Sequence, residues 1–298
     1  MLPPDRARRA LGAARDLLRR WAGAAVCAAA AAGLLLGLAL PLARPPAADA
    51  PLRAFARARY AMLAAPGRCA RAPRAGALAA DQHRVSAFLA TVLAPRLGVH
   101  PIPLPEQALM ATAACFLEPT VVFEWGTHVG FSARVWYETR AHFGLAYDIH
   151  SFDLPPDVAH VEQPGELRGL LVRDVAGQLE LHTTDAVAGA VALWNARYRH
   201  APRALPLFFL DGDHAFETVL RELEALYRAV GCRAQFLLHD TLPRPAGSDA
   251  NEGPWLAAQA FLAGVARGEY HVHSTHMGLP GMTLLYSTSD CPEIQQHV

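Results

Sequence analysis

The sequence predicts a doubly wound α/β domain: a mostly parallel sheet with an antiparallel last strand and helices on both faces. Three observations carry this expectation. From residue 119 onward, short β-branched and aromatic runs alternate with helical segments, the pattern of strand–helix–strand units. Five successive runs lead to an acidic residue: Glu124, Asp153, Asp185, Asp211 and Asp240. The apolar run Leu207–Leu210 passes directly into Asp211-Gly-Asp213-His214, which sets reactive groups at the end of a buried strand. Ligands of open parallel sheets bind at the carboxyl ends of strands, so an acidic rim reads as a site for a polar ligand.

In chain order, residues 1–20 form a basic tail carrying Arg6, Arg8, Arg9, Arg15, Arg19 and Arg20. Residues 21–43 are 23 uncharged positions dense in Ala and Leu. That is enough for a transmembrane helix of roughly 20 residues and exceeds the roughly 7–15-residue core of a cleaved signal peptide. Ala48-Asp-Ala50 imitates a cleavage site, but the length of the run favours an uncleaved anchor. The arginine excess before it keeps the N-terminus cytoplasmic. Residues 44–78, rich in Ala, Arg and Pro, read as a stalk; a basic segment lying on the membrane surface is the competing reading. The folded domain is placed at 79–298.

Within it, 82–97 and 105–116 read as helices, the second opened by Pro105. Pro119-Thr-Val-Val-Phe-Glu-Trp-Gly126 is a β-branched and aromatic run that reads as the first strand, followed by a helix over about 131–142. Tyr147–Phe152 and Gln178–His182 are the second and third strands, with a helix at 186–198. Leu207–Leu210 is the fourth strand, Glu217–Val230 a helix, and Gln235–Leu238 the fifth strand. Trp255–Ala266 is the last helix, and 270–275 and 282–287 close the sheet as an antiparallel pair.

Composition excludes some chemistry. The 298 residues contain no Lys, so a Schiff-base or phosphate-binding lysine is out of the question. The net charge of zero argues against nucleic acid as a partner, which needs a basic face. Cys27, Cys69, Cys115, Cys232 and Cys291 have no CxxC spacing, hence no zinc ribbon; one or two disulfides are compatible with an exported domain.

Glu124-Trp-Gly126-Thr127-His-Val-Gly130-Phe-Ser132 places two glycines at a strand-to-helix turn. Such a turn lets a ligand approach the backbone, and the free amides of the helix start attract an anion. The spacing is ExGxxxG, not the dinucleotide GxGxxG, and it resembles the first motif of the S-adenosylmethionine-dependent methyltransferases. Ser151-Phe-Asp153-Leu-Pro155 is similar to a shortened form of a stretch in the macrocin-type sugar O-methyltransferases. Phe209-Leu-Asp211-Gly-Asp-His214-Ala-Phe216 resembles their DGDHxY segment, with Phe for Tyr. Leu237-Leu-His239-Asp240-Thr241 resembles their fifth-strand ending, and Gly278-Leu-Pro-Gly281 the turn before their last strand. The cephalosporin-hydroxylase-like group shares this layout, and the resemblance spans about residues 120–287.

The resemblance implies a Rossmann-like methyltransferase sheet and an S-adenosylmethionine pocket. Glu124, Gly126, Thr127, Gly130 and Ser132 would lie at the amino-acid end of the cofactor, Asp153 at the ribose and Asp185 near the adenine. It implies a divalent metal, magnesium or manganese, on Asp211, His239 and Asp240, with His214 as general base. His239 stands where these relatives usually carry a carboxylate; magnesium prefers oxygen, and an imidazole shifts preference toward manganese, iron or zinc. The chemistry is coherent: a sugar or alcohol hydroxyl is a poor nucleophile and needs a base, a metal or both. The expected function is O-methylation of a small polar or glycan acceptor, in the Golgi or endoplasmic reticulum lumen if the source is eukaryotic. Two rival readings stay open: a hydrolase holding two metals on Asp211, Asp213, His214, His239 and Asp240, and a non-catalytic, membrane-tethered relative. His271 and His273 alternate on one predicted strand and receive no role.

Overall fold

The computed structural model describes residues 82–98, 101–155, 157–158, 164–201, 203–242, 252–264, 266, 269–275 and 280–287. The basic tail, the 21–43 anchor and the 44–78 stalk lie outside the described residues. Among the described residues, no helix is long and apolar enough to cross a membrane.

Seven strands form one sheet: β1 (Val121–Trp125), β2 (Asp148–Asp153), β3 (Glu180–Thr183), β4 (Pro206–Leu210), β5 (Gln235–His239), β6 (Tyr270–Thr275) and β7 (Met282–Ser287). Their order is β3-β2-β1-β4-β5-β7-β6. Strands β1 to β5 pair in parallel, and β7 runs antiparallel to both β5 and β6. The antiparallel final strand is therefore inserted beside β5, and β6 becomes the edge. Every residue of β1, β4 and β5 is buried, as expected for parallel strands covered on both faces.

Helices α1 (Gln82–Phe88), α2 (Leu104–Leu117) and α3 (Phe131–Phe143) cover one face; α4 (Ala186–Leu193), α5 (Phe216–Val230) and α6 (Gly253–Ala263) cover the other. The period-two alternation of each strand divides the core accordingly. Val122, Ile149, Phe209 and Leu237 pack under α1–α3, while Phe123, Phe152, Phe208 and Phe236 pack under α4–α6. The predicted 82–97 helix passes through a π-helical turn at Leu89–Leu93 before a last α-helical turn at Ala94–Leu97, and the predicted 186–198 helix ends in a π-helical turn at Trp194–Tyr198. Between β2 and β3 the chain forms 3₁₀ turns at Gly165–Leu167 and Leu170–Gln178.

This topology locates the site. The chain builds outward from β1 to β3, then returns to build β4 and β5 on the other side of β1. The switch point lies between β1 and β4, where a crevice opens at the strand ends. Gly126 fits that crevice for a reason the motif alone did not give. At φ 82°, a Cβ there would sit 2.3 Å from the Asp211 carbonyl oxygen, so the glycine lets the β1 and β4 endings meet. Gly126→Ala is expected to cost roughly 2–4 kcal/mol, from the left-handed backbone plus overpacking. Gly144→Ala, at φ 62° with nothing within 4 Å of the added methyl, should cost only about 1–2 kcal/mol. Equal losses in denaturant melts would contradict this packing role.

Candidate active site

The rim of β4 and β5 carries a chain of charge. His239, the last residue of β5 and only 7% exposed, has a carboxylate on each ring nitrogen. Nδ1 lies 2.9 Å from Asp211 Oδ1 and Nε2 lies 2.9 Å from Glu106 Oε2. Glu106 is in the first turn of α2 and equally buried; its other oxygen accepts from the Gly281 amide at 2.7 Å. Burial opposes charge on His239, but Asp211, Glu106 and Asp240 overcome it and hold its pKa well above the ordinary imidazole value. Burial likewise pushes the Asp211 carboxyl up, yet the imidazoles of His239 and His214 bring it down to about 2. The centre of the site is thus an imidazolium between two carboxylates.

His214 approaches from the opposite side. Its Nε2 is 3.0 Å from Asp240 Oδ2 and 3.8 Å from Asp211 Oδ1. Asp211 raises its pKa, burial lowers it, Asp240 raises it again, and the net shift is upward. Asp240 itself is raised, chiefly by burial, with His239 and His214 opposing. Asp240 adopts φ 55°, a left-handed conformation unusual for a residue with a side chain and tolerated best by Asp and Asn. From this turn its carboxylate meets His214, which follows β4.

The donor atoms of Asp211, His214 and Asp240 lie within 4.8 Å of one another, close enough to share one cation. Two carboxylate oxygens and an imidazole nitrogen suit manganese or another first-row ion better than magnesium, which favours an all-oxygen shell. His239, the ligand expected from sequence, is not in this group: with both nitrogens facing carboxylates it offers no lone pair, and it positions Asp211 instead. Asp213 also stands apart, its Oδ1 accepting from the Ala215 amide at 2.9 Å as a turn cap. The five side chains of the two-metal hydrolase reading are therefore not gathered as one set of ligands.

Beside this rim is the β1–α3 turn. Glu124 is fully buried; its Oε1 accepts from Ser132 Oγ at 2.5 Å, and its Oε2 has no hydrogen-bond partner among the described residues. Burial, reinforced by Asp211 and only partly offset by Ser132, pushes its carboxyl up to about 8. A buried acid with one unpartnered oxygen fits the ammonium of an amino acid, which would supply both a donor and a charge. Thr127 faces inward, its hydroxyl 2.7 Å from Ser151 Oγ, while the Gly126 and Thr127 amides donate to Phe152 O. Gly130 is the N-cap of α3, and Val172 of the 3₁₀ segment packs over it.

Asp153 ends β2 with Oδ2 accepting from the His128 amide at 2.9 Å, and the Arg168 guanidinium 3.3 Å away. Asp185 is the N-cap of α4, accepting from the Ala188 amide at 2.7 Å. Of the residues proposed to hold the cofactor, Glu124, Gly126, Gly130, Ser132 and Asp153 gather round the glycine turn, and Asp185 belongs to the neighbouring β3–α4 loop. Glu106 was missed. An acid in the first turn of a helix is ordinarily read as helix-dipole stabilisation, and nothing in the sequence marks it as buried against β5.

Glu106→Gln should lower the His239 pKa and cost roughly 3–5 kcal/mol near neutral pH, because it removes one partner of a buried pair. A raised imidazole pKa stabilises fully below the unfolded value of about 6.5, and that stabilisation is lost as pH rises through the folded value. The gap between wild type and variant in denaturant melts is therefore expected to shrink with rising pH. A gap independent of pH would contradict the imidazolium assignment.

The family model of a methyltransferase domain matches residues 123–241, the segment from β1 to the end of β5 that carries every one of these rim residues except Glu106. No curated protein matches the chain. Among solved structures, the methyltransferase PaMTH1 of Podospora anserina, determined with S-adenosylhomocysteine bound, is 14% identical over 84% of this chain and 98% of its own, with a TM-score of 0.45. A putative O-methyltransferase from Klebsiella pneumoniae is 13% identical over 70% of this chain and 86% of its own, at a TM-score of 0.44. An O-methyltransferase from Bacillus cereus is 10% identical over 70% and 90%, at 0.45. Over residues 123–241, the stretch that builds β1 to β5 and the rim, the chain is thus similar to the methyltransferase-domain family.

Proposed function

We propose that the chain is an O-methyltransferase acting on a hydroxyl of a sugar or other small polar acceptor, in the manner of the macrocin-type group. The observation that carries this reading is the adjacency of two differently tuned acids at the switch point. Glu124, raised to about 8, is suited to receive the cofactor's ammonium; Asp211, held to about 2, stays ionised beside His214. Divergent carboxyl environments in one site are the usual sign of separate roles.

In this reading, Glu124, the Gly126–Gly130 turn and Ser132 bind the amino-acid part of S-adenosylmethionine. Asp153 takes the ribose hydroxyls in competition with Arg168, and Asp185 borders the adenine. Methyl transfer is an in-line displacement, so most of the acceleration comes from holding the acceptor oxygen against the methyl group. His214 removes the hydroxyl proton, with Asp240 and Asp211 stabilising the imidazolium that results. A divalent ion on Asp211 and Asp240 would lower the pKa of the acceptor hydroxyl.

The cellular setting follows from two features. The 21–43 anchor with a cytoplasmic N-terminus would put the domain across the membrane, and Cys115 and Cys232 are both disulfide-bonded. Disulfides persist in oxidising compartments, which supports a lumenal or extracytosolic domain and a glycan acceptor.

Transfer of labelled methyl from S-adenosylmethionine to a panel of free hydroxylated sugars tests the reading. His214→Ala is expected to lower kcat by about 10²–10⁴-fold with little change in cofactor Kd. Because the pKa of His214 is raised, the fraction present as free base grows with pH, and wild-type kcat should rise with pH above about 6.5. Undiminished turnover in His214→Ala would remove it from the chemistry.

A further inference from the structure

A second cluster of ligand-type side chains lies on the other face of the sheet, under α4 rather than α2. His150 is in the middle of β2 and fully buried; Glu180 and His182 are its neighbours on β3, in register with His150 and Phe152. His150 Nδ1 lies 3.1 Å from His182 Nε2, and Glu180 Oε2 lies 3.7 Å from the first nitrogen and 3.9 Å from the second. Three ligands arranged tetrahedrally about 2.0–2.1 Å from a zinc ion stand about 3.3 Å apart. The observed separations bracket that spacing.

The protonation pattern makes the cluster a receptor for a cation. The Tyr198 hydroxyl donates its only proton to Asp148 Oδ2 at 2.7 Å, so toward His150 it can only accept. His150 Nε2, 2.7 Å from that hydroxyl, must therefore carry the N–H. Nδ1 is left as a lone pair, pointing at His182 Nε2 and Glu180 Oε2. A carboxylate–tyrosine–imidazole relay of this kind fixes the tautomer of a metal-bound histidine. Burial holds both imidazoles below their ordinary pKa, so they are neutral near pH 7 and able to coordinate. The other charges facing the cluster are the Arg197 guanidinium, 2.6 Å from Glu180 Oε1, and the Asp148 carboxylate. Arg197 engages one oxygen of Glu180 and leaves the other turned toward the imidazoles.

We propose that His150, His182 and Glu180 form a site for a divalent transition-metal ion of the zinc class, separate from the methyl-transfer site and with a fourth position open to water. Two neutral imidazoles and one carboxylate select zinc or cobalt over magnesium or calcium. The ion would staple the four-residue edge strand β3 to β2 and so steady the Asp153 and Asp185 loops that follow them.

Cobalt(II) titration of the full chain, followed by visible absorption, tests this. The double variant His214→Gln/Asp240→Asn, which disables the rim triad but leaves the Glu106–His239–Asp211 chain in place, should still bind one equivalent with a tetrahedral or five-coordinate ligand-field band. His182→Gln placed on that background should lose the band, and Glu180→Gln should weaken binding at least tenfold. His182 is partly exposed, and the melting temperature of His182→Gln without metal should match its parent, while zinc should raise the parent's alone. Failure of the double variant to bind cobalt would overturn the proposal, as would equal binding after His182→Gln. In that case the two histidines are simply hydrogen-bonded to each other.

Discussion

The buried chain Glu106–His239–Asp211 is the constraint on which the rest of this domain depends. It joins three elements distant in sequence: the first turn of α2, the end of β5 and the end of β4. Through the second oxygen of Glu106 it also reaches Gly281, at the start of β7. Neither carboxylate would tolerate its surroundings alone, since an ion stripped of water costs several kcal/mol unless it is paired. With the imidazolium between them, both are satisfied, and Asp211 is presented to the rim as a fixed anion. The departure of His239 from the related motif thus has a structural reading. Where the relatives place a carboxylate toward a metal, this chain uses an imidazole to couple the helical layer to the strand ends.

The rim then sorts its acids by environment. Glu124 is sealed between β1 and α3, where burial outweighs the hydrogen bonds from Ser132 and the Ala133 amide, so its proton is held. Asp211, which acts on Glu124 electrostatically, sits among imidazoles, so its proton is lost. The same sheet edge therefore offers a neutral acid where a cationic group would dock and a charged one where a proton must be attracted. Such separation depends on backbone geometry. Gly126 permits the β1 and β4 endings to touch, and from the left-handed turn at Asp240 a carboxylate meets His214.

Much of this was legible in the chain. Buried parallel strands declare themselves as short apolar runs, and all seven lie where alternation predicted, within one or two residues. The acids at or just past the ends of β1, β2, β4 and β5 come together because parallel strands in register all end at one edge of the sheet. Long-range partners were not legible. The pairing of Glu106 with His239 spans 133 residues, and neither residue's local pattern betrays it. The glycine turn was read as room for a ligand, whereas at Gly126 it makes room for the main chain of Asp211. His150, His182 and Glu180 went unremarked because single polar residues within strands look like ordinary surface or core substitutions until register brings them side by side.

The central claim is that Glu124 holds a proton in the free protein and releases it to solvent when a cofactor carrying an ammonium group docks. Calorimetric titration of S-adenosylhomocysteine at pH 7, in two buffers of different ionisation enthalpy, measures this directly. The account predicts binding with release of a substantial fraction of a proton, abolished in Glu124→Gln, with an affinity that strengthens as pH approaches about 8. Absence of binding, or binding without proton release in the wild type, would contradict it.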